Sequence, residues 1–127
     1  MKTVVTSPDA PAALGPYSQA IAAGPLVFCS GQVPIDPQTG ELVNGDVGAQ
    51  TYRVLQNLKA VLSAHGLEPA DIVKTTVFMT DLSRFTEMNT AYAAFFKEAF
   101  PARSTVQVAA LPKGAEVEIE AIALQRS

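Results

Sequence analysis

Residues 116–124 read EVEIEAIAL, an alternating run that predicts a β-strand. With a period of two, Val117, Ile119, Ala121 and Ala123 fall on one side. The opposite set is mixed. Ile122 and Leu124 are apolar, whereas Glu116, Glu118 and Glu120 are acidic. A strand apolar on one side needs a single cover, but apolar residues on both sides call for two. The second face is therefore expected to meet another surface at its apolar end and to hold a polar pocket at its acidic end.

The remaining elements fit around that strand. Residues 2–6 read as a short β segment. YSQAIAA (17–23) and PLVFCSG (25–31) read as two strands joined around Gly24-Pro25. DPQTGE at 36–41 carries the residues of a tight loop. A helix is predicted from about Asp46 to His65, because Val54, Leu58, Val61 and Leu62, with Leu55 beside them, share one face. Asp46 is its expected N-cap and Gly66 its left-handed terminator. IVKTTVFMT (72–80) is β-branched and strand-like. A second helix is expected over 83–99, with Met88, Tyr92, Phe95, Phe96 and Ala99 on its stripe and Pro101 beyond its end. RSTVQVAAL (103–111) and the opening run then close the chain around Pro112-Lys113-Gly114. The order β-β-β-α-β-α-β-β predicts an α+β fold, a mixed sheet with two helices packed on one face. No linker-like break interrupts it, so residues 1–127 read as one domain.

Composition removes several functions. Of the 127 residues, 48% are hydrophobic and the formal charge is −3, which excludes a disordered chain. Scattered basic residues and a net negative charge argue against nucleic acid as a partner. No run is long enough for a membrane-spanning helix, and no signal peptide is evident. One cysteine, Cys29, suits a reducing compartment, so the expected location is cytoplasmic. Cys29 sits in an apolar run, where a small buried hydrophobe is the ordinary role. His65 is the one histidine, placed at a helix end. Together they are too few for a zinc site, and no Ser-His-Asp arrangement or nucleotide-binding glycine motif is present. No metal and no cofactor are expected.

Several polar residues remain, each with two readings. Arg103 opens an apolar strand: either a strand-end charge in water or a planar fork for a carboxylate. Glu118 is either a solvent-facing glutamate or a carboxylate that orients water. Tyr17 is a core aromatic or a pocket wall. Ser30-Gly31 ends a strand where a glycine lets the backbone approach a ligand. Asn89 faces solvent or a pocket.

In combination these residues lie in recognisable motifs: GPYSQA (15–20), SGQVP (30–34), ADIVKTTVFMTDL (70–82), NTAYAAFF (89–96), PARSTVQVAALPKGA (101–115) and VEIEAIA (117–123). The chain resembles the Rid (YjgF-type) family over nearly its whole length, and the run from Pro101 onward resembles its imine-deaminase branch. That resemblance implies a chorismate-mutase-like fold in a homotrimeric barrel with intersubunit ligand sites. It implies cofactor-free hydrolysis of 2-iminobutanoate and 2-iminopropanoate to 2-keto acids and ammonia. Carried onto this sequence, Arg103 grips the substrate carboxylate, Glu118 holds the attacking water, and Tyr17, Ser30, Gly31, Asn89 and Thr105 line the site. Thr105 stands where well-known bacterial members have cysteine, so any thiol-dependent role is put in doubt. The alternatives are a non-catalytic trimeric carboxylate-binding protein, an endoribonuclease-type translation inhibitor, or a deaminase of other enamine substrates.

Geometry bears on the same point. If the last two strands formed a hairpin about residues 113–114, Arg103 would face Leu124, with Glu118 roughly 20 Å away along the strand. The two residues meet only if the strands pair otherwise or belong to different subunits.

Overall fold

The computed structural model describes residues 1–126. Its elements follow the expected order: β1 (Lys2–Val5), β2 (Ala20–Ala23), β3 (Leu26–Gln32), α1 (Val47–Ser63), β4 (Ile72–Met79), α2 (Phe85–Phe96), β5 (Ala102–Gln107) and β6 (Val117–Leu124). In α1 the Asp46 carboxylate accepts a hydrogen bond from the Ala49 amide at 2.9 Å, as an N-cap should. Gly66 has φ of 73°, the left-handed value that reverses the chain after the helix. Val54, Leu55, Leu58, Val61 and Leu62 are fully buried against the sheet. The loop at 36–41 is closed by a bridge between Ile35 and Leu42.

Several boundaries move. Residues 17–19 lie outside the strand expected at 17–23. The second helix starts at Phe85, after a short 3-10 turn at Leu82–Arg84, and stops at Phe96. Lys97 and Ala99 have positive φ, so the backbone leaves the helix well before Pro101, and Ala99 is exposed rather than on the stripe. β5 ends at Gln107, not 111.

The pairing of the last two strands, left open by the sequence, follows from the topology. The sheet order is β1-β2-β3-β6-β4-β5, so the last two strands are not a hairpin. β4 lies between them, antiparallel to β6 and parallel to β5. Parallel neighbours need a crossover, and α2 supplies it. Pro112–Gly114, between the two runs, is a 3-10 turn that carries the chain past β4.

Register then sorts the residues. One row crosses all six strands: Val5, Ala20, Cys29, Ala121, Thr75 and Arg103. It lies beneath the helices, and every member except Arg103 is buried. Burial pushes the Cys29 thiol up to about 12, which keeps it protonated and inert. Another row, Val4, Ile21, Phe28 and Ile122, crosses the opposite face. No helix covers it. Val4, Phe28 and Leu124 are 57%, 43% and 50% exposed.

Candidate active site

Arg103 ends its row on the edge strand, under α2. Its guanidinium lies 4.8 Å from the centroid of Tyr92 and 5.5 Å from that of Phe85, and Nη1 approaches the Met88 sulfur at 3.8 Å. These contacts use the faces and stem of the group and leave most of its donors unspent. Among the described residues no carboxylate pairs with it. Tyr92 is itself fixed by a 2.7 Å hydrogen bond between its hydroxyl and that of Thr75, the next member of the row. Burial pushes the Tyr92 phenol up, so it stays neutral beneath the cation. Arg103, Tyr92, Asn89, Ala93, Phe100 and Pro101 enclose a cleft of about 420 Å³. It holds one cation, and its walls are two aromatic rings, Ala93, Pro101 and one amide. That chemistry suits a small carboxylate with a short apolar tail.

Glu118 occupies the other face. β6 places it opposite Phe78, two strands from β5 and away from the helices. The register of β3 slips between Cys29 and Gln32, and Gly31 falls in that irregularity. A Cβ on residue 31 would lie 2.1 Å from Oε2 and 2.9 Å from Cδ of Glu118. Only glycine therefore lets the carboxylate settle against β3. The Ser30 hydroxyl donates to the Ser18 carbonyl at 2.6 Å, and the Ser30 amide donates to the Gln19 carbonyl at 3.0 Å. Those bonds hold the segment carrying Tyr17 beside the carboxylate. The Tyr17 hydroxyl accepts from the Leu14 amide at 3.0 Å, leaving the ring half-exposed as a wall. Leu14, Tyr17, Ser30, Gly31, Glu118, Glu120 and neighbouring residues line a second cleft, of about 410 Å³. Burial, and secondarily the nearby Glu120 charge, raise the Glu118 carboxyl above its ordinary value. A raised carboxylate is a better proton acceptor near neutral pH.

The expected residues are thus brought together in two groups rather than one. Tyr17, Ser30, Gly31 and Glu118 share one cleft; Asn89 and Arg103 share the other. Thr105 lies on the Arg103 side of β5 but lines neither cleft, and its hydroxyl is buried without a hydrogen-bond partner. Glu116 departs from the acidic set: it precedes β6, and its carboxylate accepts from Gln50 of α1. His65 bonds the Gln125 side chain at 2.9 Å, a structural role. Two further side chains line the Arg103 cleft, Tyr92 and Phe100, neither of them a site candidate from the sequence. Tyr92 is a core residue, as its place on the α2 stripe predicts, and its spacing of three from Asn89 also puts both on one helix face.

An α+β sheet with both helices on one face and a cleft on each side defines the class. The profile of the family described as Endoribonuclease L-PSP matches residues 7–125. The chain is 52% identical to the 2-iminobutanoate/2-iminopropanoate deaminase of Escherichia coli K12, covering 98% of each sequence. Among solved structures, a protein of the conserved Rid family from Yersinia pestis superposes with a TM-score of 0.95 at 51% identity, covering 98% of this chain and 100% of that one. TdcF of E. coli, solved with bound serine, gives 0.93 at 46% identity, covering 98% and 99%. The chain belongs to the Rid (YjgF-type) family, the family of the Endoribonuclease L-PSP profile.

Proposed function

We propose that this protein is a cofactor-free imine deaminase that hydrolyses 2-iminobutanoate and 2-iminopropanoate, with its active sites formed between the subunits of a homotrimer. The observation that carries this reading is the division of the site: an unpaired arginine on one side of the sheet and a carboxylate on the other. Within one copy the two point away from each other. Both are placed for a partner, since β5 is a sheet edge and the face holding Glu118 is uncovered. Cyclic packing of identical copies brings the edge of one against the open face of the next, and it repeats the contact until the ring closes. The apolar row Val4, Ile21, Phe28 and Ile122 supplies surface for that contact.

In such a site Arg103 holds the substrate carboxylate in its planar fork, and Asn89, Tyr92 and Phe100 surround the side chain. Glu118 from the neighbouring copy accepts a hydrogen bond from water and directs its oxygen at the imine carbon. Attack forms the C–O bond and moves the C=N π electrons to nitrogen, giving a carbinolamine. The proton taken by Glu118 goes to nitrogen; Glu118 then takes the proton of the new hydroxyl and passes it to the amine, so that ammonia leaves as the carbon–oxygen double bond of the keto acid forms. The imine carbon is already electrophilic, so positioning and a modest base suffice. Tyr17, Ser30 and Gly31 shape the water side, and Thr105 supports β5 through its backbone. We read residues 1–127 as one domain acting in a reducing cytoplasm, without metal or cofactor. An endoribonuclease role fits poorly with a charge of −3 and a histidine occupied by Gln125.

The test is ammonia release from freshly generated 2-iminobutanoate, coupled to a second enzyme, with Arg103→Ala alongside. The expected result is turnover by the native protein and none by the variant at unchanged oligomeric mass. A native rate equal to that in buffer alone would overturn the enzyme reading and leave carboxylate binding.

A further inference from the structure

The buried face of α1 is apolar except at a few positions, and two of these carry amides. Gln50 and Asn57 are seven residues apart, two turns along the same side of the helix. Asn57, with no exposed surface, donates through Nδ2 to the carbonyls of Val33 at 3.3 Å and Ile35 at 2.9 Å. Its Oδ1 accepts from Arg53 Nε at 3.1 Å, which fixes the orientation of the amide. Gln50 makes a reciprocal pair with Glu116: the Glu116 amide donates to Oε1 at 2.9 Å, and Nε2 donates to the carboxylate at 3.0 Å. Val33 immediately follows β3, and Glu116 immediately precedes β6. These two strands meet where the Glu118 carboxylate lies against Gly31. Each is therefore anchored, within two residues of that contact, by an amide from one helix.

We propose that Gln50 and Asn57 are positioning residues for the water-directing carboxylate: α1 holds β3 and β6 at the spacing that sets Glu118 over Gly31. This inference rests on the function proposed above. Apolar residues would pack the same face of α1, but they would leave the Val33 and Ile35 carbonyls and the Glu116 amide without these partners. The slipped register of β3 also gives the ladder little hold on residues 30–31. A displacement of about 1 Å at a reacting group costs on the order of a hundredfold in rate. Besides its neighbour Glu120, the groups facing Glu118 are the Tyr17 phenol across the cleft and, beyond Glu120, Lys74 of β4.

The experiment compares Asn57→Ala and Gln50→Ala with Val61→Ala, which opens a cavity on the same buried face of α1 without touching either strand end. Each protein is measured for melting temperature, kcat, KM and the titration of Glu118 by ¹³C NMR, with Glu118→Gln identifying the resonance. We expect both amide variants to lose kcat by roughly tenfold to a hundredfold, with KM changing far less. We expect the Glu118 titration to move toward that of an ordinary glutamate as the cleft loosens. Val61→Ala should lose stability and do neither. The exchange of Gln50→Glu with Glu116→Gln keeps an acceptor for the residue 116 amide and reverses the side-chain pair, so it should recover part of the loss in Gln50→Ala, which also decides the matter if Asn57→Ala does not fold. Equal behaviour of all three alanine variants, or an unmoved Glu118 titration, would overturn the inference. If the native protein releases no ammonia, the proposed function fails, and the Glu118 titration still judges the positioning role by itself.

Discussion

The two sides of the sheet are built from one backbone but by different means. On the covered side, the row from Val5 to Thr75 is closed by helices, and its last member, Arg103, is held by aromatic rings and a sulfur. Its position comes from packing. On the open side, Glu118 is held by an absence of bulk at Gly31 and by hydrogen bonds that anchor the strands around it. Its position comes from backbone placement. Packing fixes the cation. Backbone placement fixes a carboxylate whose proton affinity then depends on the depth of its cleft. One chain thus carries opposite charges without letting them neutralise each other, because the sheet keeps them on its two faces.

The sharpest way to break this comparison is to separate its halves between chains. Arg103→Ala and Glu118→Gln should each be nearly inactive. Co-refolded in equal amounts, they should regain activity, because random mixing leaves about a quarter of the intersubunit sites with both native residues. Recovery would be measured as ammonia release against each variant refolded alone. No recovery in mixed oligomers would place both residues in one copy's site. Arg103→Lys should rescue little, since it keeps the charge and loses the fork.

Within the open side, Glu118→Gln should lower kcat by roughly 10²–10⁴-fold, the range for a positioned base. Calorimetry with 2-ketobutanoate should show binding nearly unchanged, because Arg103 supplies that grip. Binding that collapses together with activity would make Glu118 a support rather than a base. Gly31→Ala should act on the same group more gently. The added methyl meets a flexible carboxylate end, so the fold survives while Glu118 is pushed aside. A drop in kcat of roughly tenfold to a hundredfold is expected, with a small change in melting temperature. Full activity in that variant would mean that the carboxylate works from elsewhere.

How much of this was legible beforehand follows the same division. α1 could be read because Val54, Leu58, Val61 and Leu62 repeat at helical spacing and Asp46 and Gly66 mark its ends. The two-sided character of β6 could be read from alternation alone, and the exposed Leu124 and half-buried Ile122 agree with it. The pairing of the last strands could not. Pro112-Lys113-Gly114 has turn chemistry, and local signals say nothing of a parallel partner reached through a helix. The six candidate residues of the two clefts were nameable, but their division between two faces depends on the β4–β5 register, which is a long-range property. Gln50 and Asn57 were invisible for a related reason. An amide inside an apolar helical face signals only that something polar lies opposite, and Val33 and Glu116 lie far from α1 in sequence.

The smallest effect concerns stability, and its sign is definite. Burial, with Glu120 second, raises the Glu118 carboxyl in the folded state. Below the ordinary glutamate value it is protonated in both folded and unfolded chains and contributes nothing. As pH rises past that value the unfolded chain releases its proton first, so the folded state binds more protons and stability falls until the folded group also ionises. Glu118 therefore destabilises the chain at neutral pH, modestly, because it is only half-buried. Glu118→Gln should raise the melting temperature slightly at pH 7 and leave it nearly unchanged at pH 4. Thermal melts of both proteins across that range provide the check. Arg103→Gln should show no such trend, since Arg103 is held by rings rather than by a buried anion. If the Glu118→Gln advantage grew on acidification instead, the carboxylate would be stabilised in its charged form by a neighbour, and its assignment as a raised, water-directing base would fail.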